Sequence, residues 1–224
     1  MTDTVVLVHG LATNAERTWR ETGWIDLLGD FGVDVIAPDT LGHGSAPQPT
    51  DPAAYDEFES YLLDAFPDEA VHAVGFSLGA RTVLALALEH PERFDRIVLA
   101  GVGENLFRRD GSSAELADAL EAGDDGSNPM VQHFRQLAES SGQSIEALVA
   151  ALRRPHPPLI DEERLGTLQV PTLVVLGDTD FAGPADRLVD AIPNAEFVSL
   201  RGVDHFATPK SMGFLDAAFK FLGL

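Results

Sequence analysis

The sequence VHAVGFSLGARTVLALAL, residues 71–88, joins three patterns within one short stretch. Residues 71–74 form an apolar run with branched side chains, which predicts a buried strand. Residues 82–88 are apolar almost all round, which predicts a buried helix. Gly75-Phe76-Ser77-Leu78-Gly79 lies between them as a G-x-S-x-G. Glycines let the strand and helix approach closely, and the sharp turn raises the Ser77 hydroxyl above the sheet at the positive end of the helix.

The pentapeptide alone also fits a glycine-rich turn whose serine caps the helix. A serine nucleophile, the other interpretation, needs a base and an acid from elsewhere in the chain. The remaining sequence therefore has to decide between the two.

The composition is typical of one globular α/β domain. The chain has 224 residues, of which 45% are hydrophobic and 23% charged, enough to bury a sizeable core. No apolar run approaches the roughly 20 residues that span a bilayer. The first residues, MTDT, carry no basic side chain, so we expect no signal peptide and a cytoplasmic location. The absence of cysteine excludes disulfides, thiolate metal sites and a cysteine nucleophile.

The net charge of −21 comes from 36 acidic residues against 15 basic ones. Such a field repels nucleic acid and anionic membranes, so we expect neither as a partner. The acidity itself fits a well-solvated surface or an adaptation to high salt. The expected partner is a small-molecule substrate, bound by a monomer or a homodimer.

Strand patterns alternate with helix patterns along the chain. The predicted strands lie at residues 4–8, 33–37, 71–74, 97–100, 170–176 and 196–200. The predicted helices flanking them lie at residues 19–28, 55–66, 82–88, 184–191 and 212–222. This alternation predicts an α/β fold with a mainly parallel six-stranded sheet, right-handed crossovers and the spatial order 2-1-3-4-5-6. The second strand is then one edge of the sheet.

Residues 104–164 interrupt the alternation. They are polar and helical, with helix patterns at residues 115–120, 131–138 and 145–152 and no convincing strand. About 60 residues would be marginally stable alone. We therefore expect a small helical cap inserted at about residues 104–164 into a single domain that spans residues 1–224.

Potentially reactive residues follow the predicted strands. In parallel sheets such groups gather beyond the carboxyl ends of the strands. The segments found there are His9-Gly10-Leu11, residues 39–45, Ser77, residues 101–104, residues 178–180 and His205. We expect these segments to meet at one edge of the sheet.

Five motifs, in order, resemble the motif series of the α/β-hydrolase superfamily, in particular its compact, carboxylesterase-like serine hydrolases. They are His9-Gly10, Pro38-Asp39-x-x-Gly42-His43-Gly44-x-Ala46, Gly75-Phe76-Ser77-Leu78-Gly79, Gly177-Asp178-Thr179-Asp180 and Gly202-Val203-Asp204-His205-Phe206. The resemblance covers nearly the whole chain outside residues 104–164. It implies the α/β-hydrolase fold without that family's first two strands. A second departure is Leu41, at a position that is often arginine in relatives.

The resemblance implies a triad of Ser77, His205 and Asp180. A serine hydroxyl is a weak nucleophile until a base takes its proton. His205 would be that base, and Asp180 would fix its tautomer and stabilise the imidazolium. Asp178, in the same turn, and Glu104, after the fourth strand, remain alternatives for the acid.

The same resemblance supplies an oxyanion hole from the backbone N–H groups of Leu11 and Leu78. His9 and His43 are expected to bond loop backbone rather than to act in catalysis. No two histidines share the spacing of metal ligands, so we expect no metal and no cofactor.

Aromatic residues near these motifs predict a pocket for a small, mostly apolar substrate. Phe181 and Phe206 flank triad members, and Phe76 precedes the serine. The expected substrate-binding residues are Phe76, Phe107, Phe134, Phe181 and Phe206, with Met130, His133 and Leu137 of the expected cap as further candidates.

The sequence favours a serine hydrolase that cleaves small carboxylic esters, thioesters or lactones through an acyl-enzyme. Cleavage of a carbon–carbon bond, or a lyase reaction, by the same triad is one alternative. A ligand-sensing protein with slow turnover is another. Haloalkane dehalogenation is disfavoured because it needs a carboxylate nucleophile in place of Ser77.

Overall fold

A computed structural model describes residues 4–108, 111–123 and 128–224. The strands are β1 Thr4–Val8, β2 Asp34–Ile36, β3 Val71–Phe76, β4 Phe94–Ala100, β5 Thr172–Gly177 and β6 Ala195–Leu200. The α-helices are α1 Trp24–Asp30, α2 Phe58–Leu63, α3 Leu78–Glu89, α4 Ser112–Ala122, α5 Pro129–Ser140, α6 Ile145–Leu152, α7 Glu162–Leu165, α8 Asp186–Ala191 and α9 Met212–Leu222. No helix in these described ranges is long and apolar enough to cross a membrane.

The six strands form one sheet in the order β2-β1-β3-β4-β5-β6, and every neighbouring pair is parallel. The predicted fold class, strand order and edge position of the second strand are confirmed. Parallel sheets of this kind are buried on both faces. All carboxyl ends of the strands therefore lie along one edge, where the polar motifs were expected.

Alternate side chains of β1 point into two separate hydrophobic layers. Val6 and Val8 pack with α3 on one face, whereas Val5 and Leu7 pack with α1 and α9 on the other. This period of two is the geometry of a pleated strand. It explains why a continuous apolar run, rather than an alternating one, encodes this central strand.

Two glycines allow the close contact between α3 and the strands beneath it. A Cβ atom on Gly75 would lie 2.6 Å from the backbone N of Ala80, and a Cβ on Gly79 would lie 2.6 Å from the carbonyl oxygen of His9. Both distances are far inside van der Waals contact, and backbone atoms on both sides have little room to move. The G-x-S-x-G spacing thus answers a packing constraint between the helix and the sheet.

The predicted helix at residues 19–28 is wrong in its bounds. A π-helical segment, Glu16–Arg20, is followed by a separate helix α1. Gly23 separates them because it adopts a left-handed conformation, with φ of 85°, that a continuous helix does not contain. The ring of Trp19 still packs edge-on against Trp24, with centroids 5.1 Å apart. The aromatic contact is kept although the helix is broken.

The predicted helix at residues 55–66 is also two segments. It begins as a 3₁₀ helix, Pro52–Glu57, capped by the side chain of Asp51, and continues as α2. Proline in the first turn suits a helix start because its missing N–H needs no partner there.

The chain between β4 and β5 is helical, as predicted. α4, α5 and α6 contain the predicted patterns, although α4 and α5 extend beyond them at both ends. Their apolar faces pack on one another and on Ala12 and Phe206, which lie at the carboxyl edge of the sheet. The inclusion of this segment as a cap in one domain stays a prediction, and residues 109–110 and 124–127 of it lie outside the described ranges.

We predict that Gly79→Ala and Gly75→Ala each lower the free energy of unfolding by about 2–4 kcal/mol, because the new methyl group forces helix and sheet apart. Gly29→Ala is the matched control. Gly29 lies in α1 with nothing within 4 Å of an added Cβ, so this change should raise stability by about 0.5–1 kcal/mol. Urea denaturation of the three variants measures the difference. Equal effects at all three positions would contradict the packing constraint.

Candidate active site

Ser77 lies at the sharp turn between β3 and α3 in a strained conformation. Its φ is 55° and its ψ is −113°, and Ala12 is the only other non-glycine residue with positive φ in the described chain. The backbone N–H of Ser77 donates to the carbonyl of Ala100 at 2.8 Å, which attaches the turn to the end of β4. Strain of this kind persists only where surrounding contacts hold it, and it is typical of functional sites.

A continuous hydrogen-bond chain runs from Ser77 through His205 to Asp180. The Ser77 hydroxyl lies 2.9 Å from Nε2 of His205, and Nδ1 of His205 lies 2.9 and 3.0 Å from the two carboxylate oxygens of Asp180. The backbone N–H of Ala182 also donates to Asp180, at 2.8 Å. His205 and Asp180 are 3% and 9% exposed, so water competes little for these bonds. This is the geometry that activates a serine nucleophile.

The loops that carry His205 and Asp180 are bound to each other. Gly177 packs so closely on the carbonyl of Val203 that any side chain would collide with it. Thr179 donates its hydroxyl to the same carbonyl at 2.9 Å. These contacts between the two loops bring His205 and Asp180 close together.

The structure separates the three acids that the sequence left open. Asp180 faces His205. Asp178 accepts a hydrogen bond from the backbone N–H of Gly202 at 2.7 Å, and Glu104 forms an ion pair with Arg187 at 3.1 Å. Only Asp180, of these three, has a carboxylate placed to orient the imidazole, although its catalytic role stays a prediction.

The two residues expected to supply the oxyanion donors both lie close to Ser77. Leu78 is the first residue of α3, where backbone N–H groups have no acceptor within the helix. Leu11 lines the same pocket as Ser77. A Cβ on Gly10 would lie 3.4 Å from Cβ of Ser77, so the turn before Leu11 passes directly beside the nucleophile. The oxyanion role of both N–H groups stays a prediction.

His9 holds this turn against the end of β2. It is fully buried, its Nδ1–H donates to the carbonyl of Gly10 at 2.8 Å, and its Nε2 accepts from the backbone N–H of Thr40 at 3.1 Å. Burial lowers the pKa of His9, which keeps the ring neutral so that Nε2 remains an acceptor. The expectation that His9 bonds loop backbone is confirmed.

His43 bonds the neighbouring loop in the same way. Its Nδ1 lies 3.1 Å from the carbonyl oxygen of Leu41, and burial, together with nearby His9, lowers its pKa to about 3. The side chain of Leu41 packs with Tyr55 and Phe58 in a small apolar cluster. A buried leucine therefore occupies the position where relatives often have arginine.

A pocket with an empty volume of about 760 Å³, counted to its open mouth, leads to Ser77 and His205. The predicted residues that line it are Leu11, Phe76, Phe134 and Phe206, with the further candidates His133 and Leu137. Phe181 packs on His205 with ring centroids 4.3 Å apart, at the side of the site. Met130 is 41% exposed and does not line the pocket.

The prediction that Phe107 binds substrate is wrong. Phe107 packs against the hydrophobic layer on the α3 face of the sheet, and the guanidinium of Arg187 lies 4.0 Å above its ring. Phe107 ends the 3₁₀ turn Glu104–Leu106, and Leu106 of this turn is buried in the same hydrophobic layer.

Sequence reasoning missed one wall of the pocket. This wall comes from the segment that follows His9-Gly10-Leu11 and from the loop after His205. Its residues are Thr13, Arg17, Thr18, Glu21, Thr22, Pro209 and Lys210. The only signal for it was proximity in sequence to Leu11 and His205.

Among the described residues, no group of three or more histidine and carboxylate side chains is arranged to hold a metal ion.

A family model described as the alpha/beta hydrolase fold matches residues 3–127, more than half of the chain. The chain therefore belongs to the alpha/beta hydrolase family, and the resemblance drawn from its motifs is confirmed.

Characterised relatives are similar over most of the chain. A 2-hydroxy-6-oxononadienedioate/2-hydroxy-6-oxononatrienedioate hydrolase from Cupriavidus pinatubonensis is 26% identical over 92% of this chain and 81% of its own length. A 2-hydroxymuconate semialdehyde hydrolase from Pseudomonas sp. strain CF600 is 32% identical over 76% of this chain and 56% of its own length. The coarse class of the protein is thus a hydrolase.

Solved structures agree with this class. A meta-cleavage product hydrolase from Pseudomonas fluorescens IP01 has a TM-score of 0.68 and 26% identity, and the match covers 98% of this chain and 90% of that one. NosK from Streptomyces actuosus has a TM-score of 0.77 at 21% identity, covering 100% and 98% of the two chains. At that lower identity the similarity concerns the fold alone.

We predict that Asp180→Asn lowers kcat by about 10³–10⁴-fold, because the amide favours the wrong tautomer of His205 while keeping the shape. Asp178→Asn is the matched control in the same turn and should cost less than about tenfold, through the weakened bond to Gly202. Steady-state kinetics of the two variants, with folding checked by circular dichroism, decide the assignment. The reverse ranking would give the acid role to Asp178.

Proposed function

We propose that the protein hydrolyses a carbon–carbon bond in a small ketone substrate, through an acyl-enzyme on Ser77. The observation that carries the proposal is the Ser77–His205–Asp180 hydrogen-bond chain, which opens into a pocket. A hydrolase of 2-hydroxy-6-oxo dienedioates that is 26% identical to this chain, over 92% of its residues, supports the choice of bond. Such a compound, by its name, has a ketone, a hydroxyl group and carboxylates but no ester or amide, so its hydrolysis breaks a carbon–carbon bond.

The first step is addition to the ketone. Oγ of Ser77 attacks the carbonyl carbon while Nε2 of His205 takes the hydroxyl proton. The carbonyl oxygen becomes an oxyanion between the backbone N–H groups of Leu11 and Leu78. Asp180 stabilises the imidazolium that forms.

The second step breaks the bond between the former ketone carbon and its neighbour. The electron pair leaves with the neighbouring carbon, which then takes the proton from His205. A carbon leaving group of this kind requires a conjugated carbonyl to delocalise the charge. The 2-hydroxy dienoate provides it after tautomerising to its keto form, in which the hydroxyl proton has moved to the carbon next to the ketone. The other fragment remains as an ester on Ser77.

Water completes the reaction. His205 takes a proton from a water molecule, the resulting hydroxide attacks the acyl carbon, and Ser77 leaves with the proton returned by His205. The net change is one ketone and one water converted into one carboxylic acid and one fragment with a new C–H bond. All atoms and charges balance without a cofactor.

Ester hydrolysis is the second candidate, and the same triad supports it. An alkoxide leaves more easily than a carbanion, so esters need no conjugated leaving group. The two activities therefore differ in what the pocket must position, and not in how Ser77 is activated.

The deciding experiment compares two substrates on one enzyme. We expect a synthetic 2-hydroxy-6-oxo dienoate, followed by the loss of its conjugated absorbance, to give a kcat/KM at least about tenfold above that of p-nitrophenyl butyrate. Ser77→Ala should lower both activities by about 10³-fold or more. A higher kcat/KM for the ester would establish the ester candidate. Tight binding of the dienoate with no turnover would support a ligand-sensing role instead.

A further inference from the structure

Positive charge is scarce in this protein, yet two cations lie at the mouth of the pocket. The chain has 15 basic residues against 36 acidic ones, and Lys210 is one of only two lysines. Arg17 and Lys210 both line the pocket that leads to Ser77. They come from separate parts of the chain, the π-helical segment Glu16–Arg20 and the turn Thr208–Lys210.

The backbone beneath each cation is anchored. In the turn that carries Lys210, Thr208 and Pro209 are buried, and the carbonyl of Pro209 accepts a hydrogen bond from the indole N–H of Trp24 at 3.1 Å. The backbone N–H of Arg17 donates to the side chain of Asn14 at 2.9 Å. The backbone positions of both cations are therefore fixed beside the pocket.

Within the described ranges, neither cation has a carboxylate at ion-pair distance. The guanidinium of Arg17 uses its Nε–H to donate to the carbonyl of Ser140 at 3.0 Å. Nearby Arg20, by contrast, pairs with Glu16 at 3.0 Å. Glu21 is the one carboxylate that also lines the pocket. The residues that line the pocket thus include two cations and one carboxylate in a protein of net charge −21.

The charge of Lys210 reaches the inner wall of the pocket. His133 packs on Phe206 with ring centroids 3.8 Å apart, next to His205. Burial lowers the pKa of His133, the nearby carboxylate of Asp204 raises it, and the charges of His205 and Lys210 lower it. His205, Phe206 and His133 are therefore consecutive neighbours in the pocket wall, and Lys210 lines the same pocket.

We propose that Arg17 and Lys210 bind a carboxylate at the end of the substrate that lies away from the reacting carbonyl. A net negative protein repels an anionic substrate, and a pair of cations at the pocket mouth reverses that field locally. The planar guanidinium can bind both oxygens of a carboxylate, and the ammonium adds a point charge. This inference rests on the proposed function and assigns the residues that bind the carboxylate of such a substrate, whereas the sequence analysis expected a mostly apolar substrate.

The test uses esters, so that it does not depend on carbon–carbon cleavage. The measured quantity is the ratio of kcat/KM for mono-p-nitrophenyl glutarate, which has a free carboxylate, to that for neutral p-nitrophenyl butyrate. Arg17→Gln and Lys210→Gln should each lower this ratio by about 5–10-fold, chiefly through KM of the anionic ester. The loss should shrink as salt is added.

Arg20→Gln and Lys220→Gln are the matched controls. Arg20 lies on the same segment as Arg17 but does not line this pocket, and Lys220 lies on α9. The ratio should stay within about twofold of the wild-type value in both. Equal ratios in all four variants would overturn the inference.

Binding provides a readout that survives a failure of catalysis. Titration of glutarate into Ser77→Ala, followed by NMR, should show weaker binding when Arg17→Gln or Lys210→Gln is added. Unchanged glutarate binding would overturn the carboxylate site. If the wild-type enzyme does not cleave the carbon–carbon bond of the dienoate but the cations are still needed for glutarate binding, only the proposed function is refuted.

Discussion

The close contact between the start of α3 and the ends of β1 and β3 is the constraint on which the site depends. Gly79 packs on the carbonyl of His9, and Gly75 packs on the backbone of Ala80. This contact forces Ser77 into its strained conformation and directs its hydroxyl to His205. It also sets the turn that holds Gly10 against Ser77. One packing constraint therefore positions the nucleophile and both expected oxyanion donors.

A second set of contacts completes the site without the helical segment between β4 and β5. Gly177 and Val203 bring two loops together, and Asp180 and His205 meet as a result. The helical segment contributes pocket wall, including His133 and Phe134. The hydrogen-bond chain and this part of the pocket wall thus come from different parts of the chain. Changes in the helices can alter the pocket while the hydrogen-bond chain at the strand ends is preserved.

The sequence by itself determined the sheet and two of the three residues of the hydrogen-bond chain. Each strand is a local apolar pattern, and strands alternating with helices permit few topologies, so the order of all six strands was predictable. The motif series identified Ser77 and His205, because a strained strand-to-helix turn and a histidine after the last strand leave local marks. It left Asp178, Asp180 and Glu104 open, since all three follow strands that end at the same edge.

Only the tertiary structure decided which side chains face one another. Asp180 reaches His205 because a backbone contact between two distant loops sets their distance. Phe107 turns into the core although, in sequence, it resembles the aromatic residues that do line the pocket. Arg17 and Lys210 are nearly 200 positions apart and line one pocket because the segments after β1 and β6 lie at the same edge of the sheet. Local sequence patterns encode backbone conformation. Contacts between distant residues depend on tertiary packing, which the sequence of neither segment specifies alone.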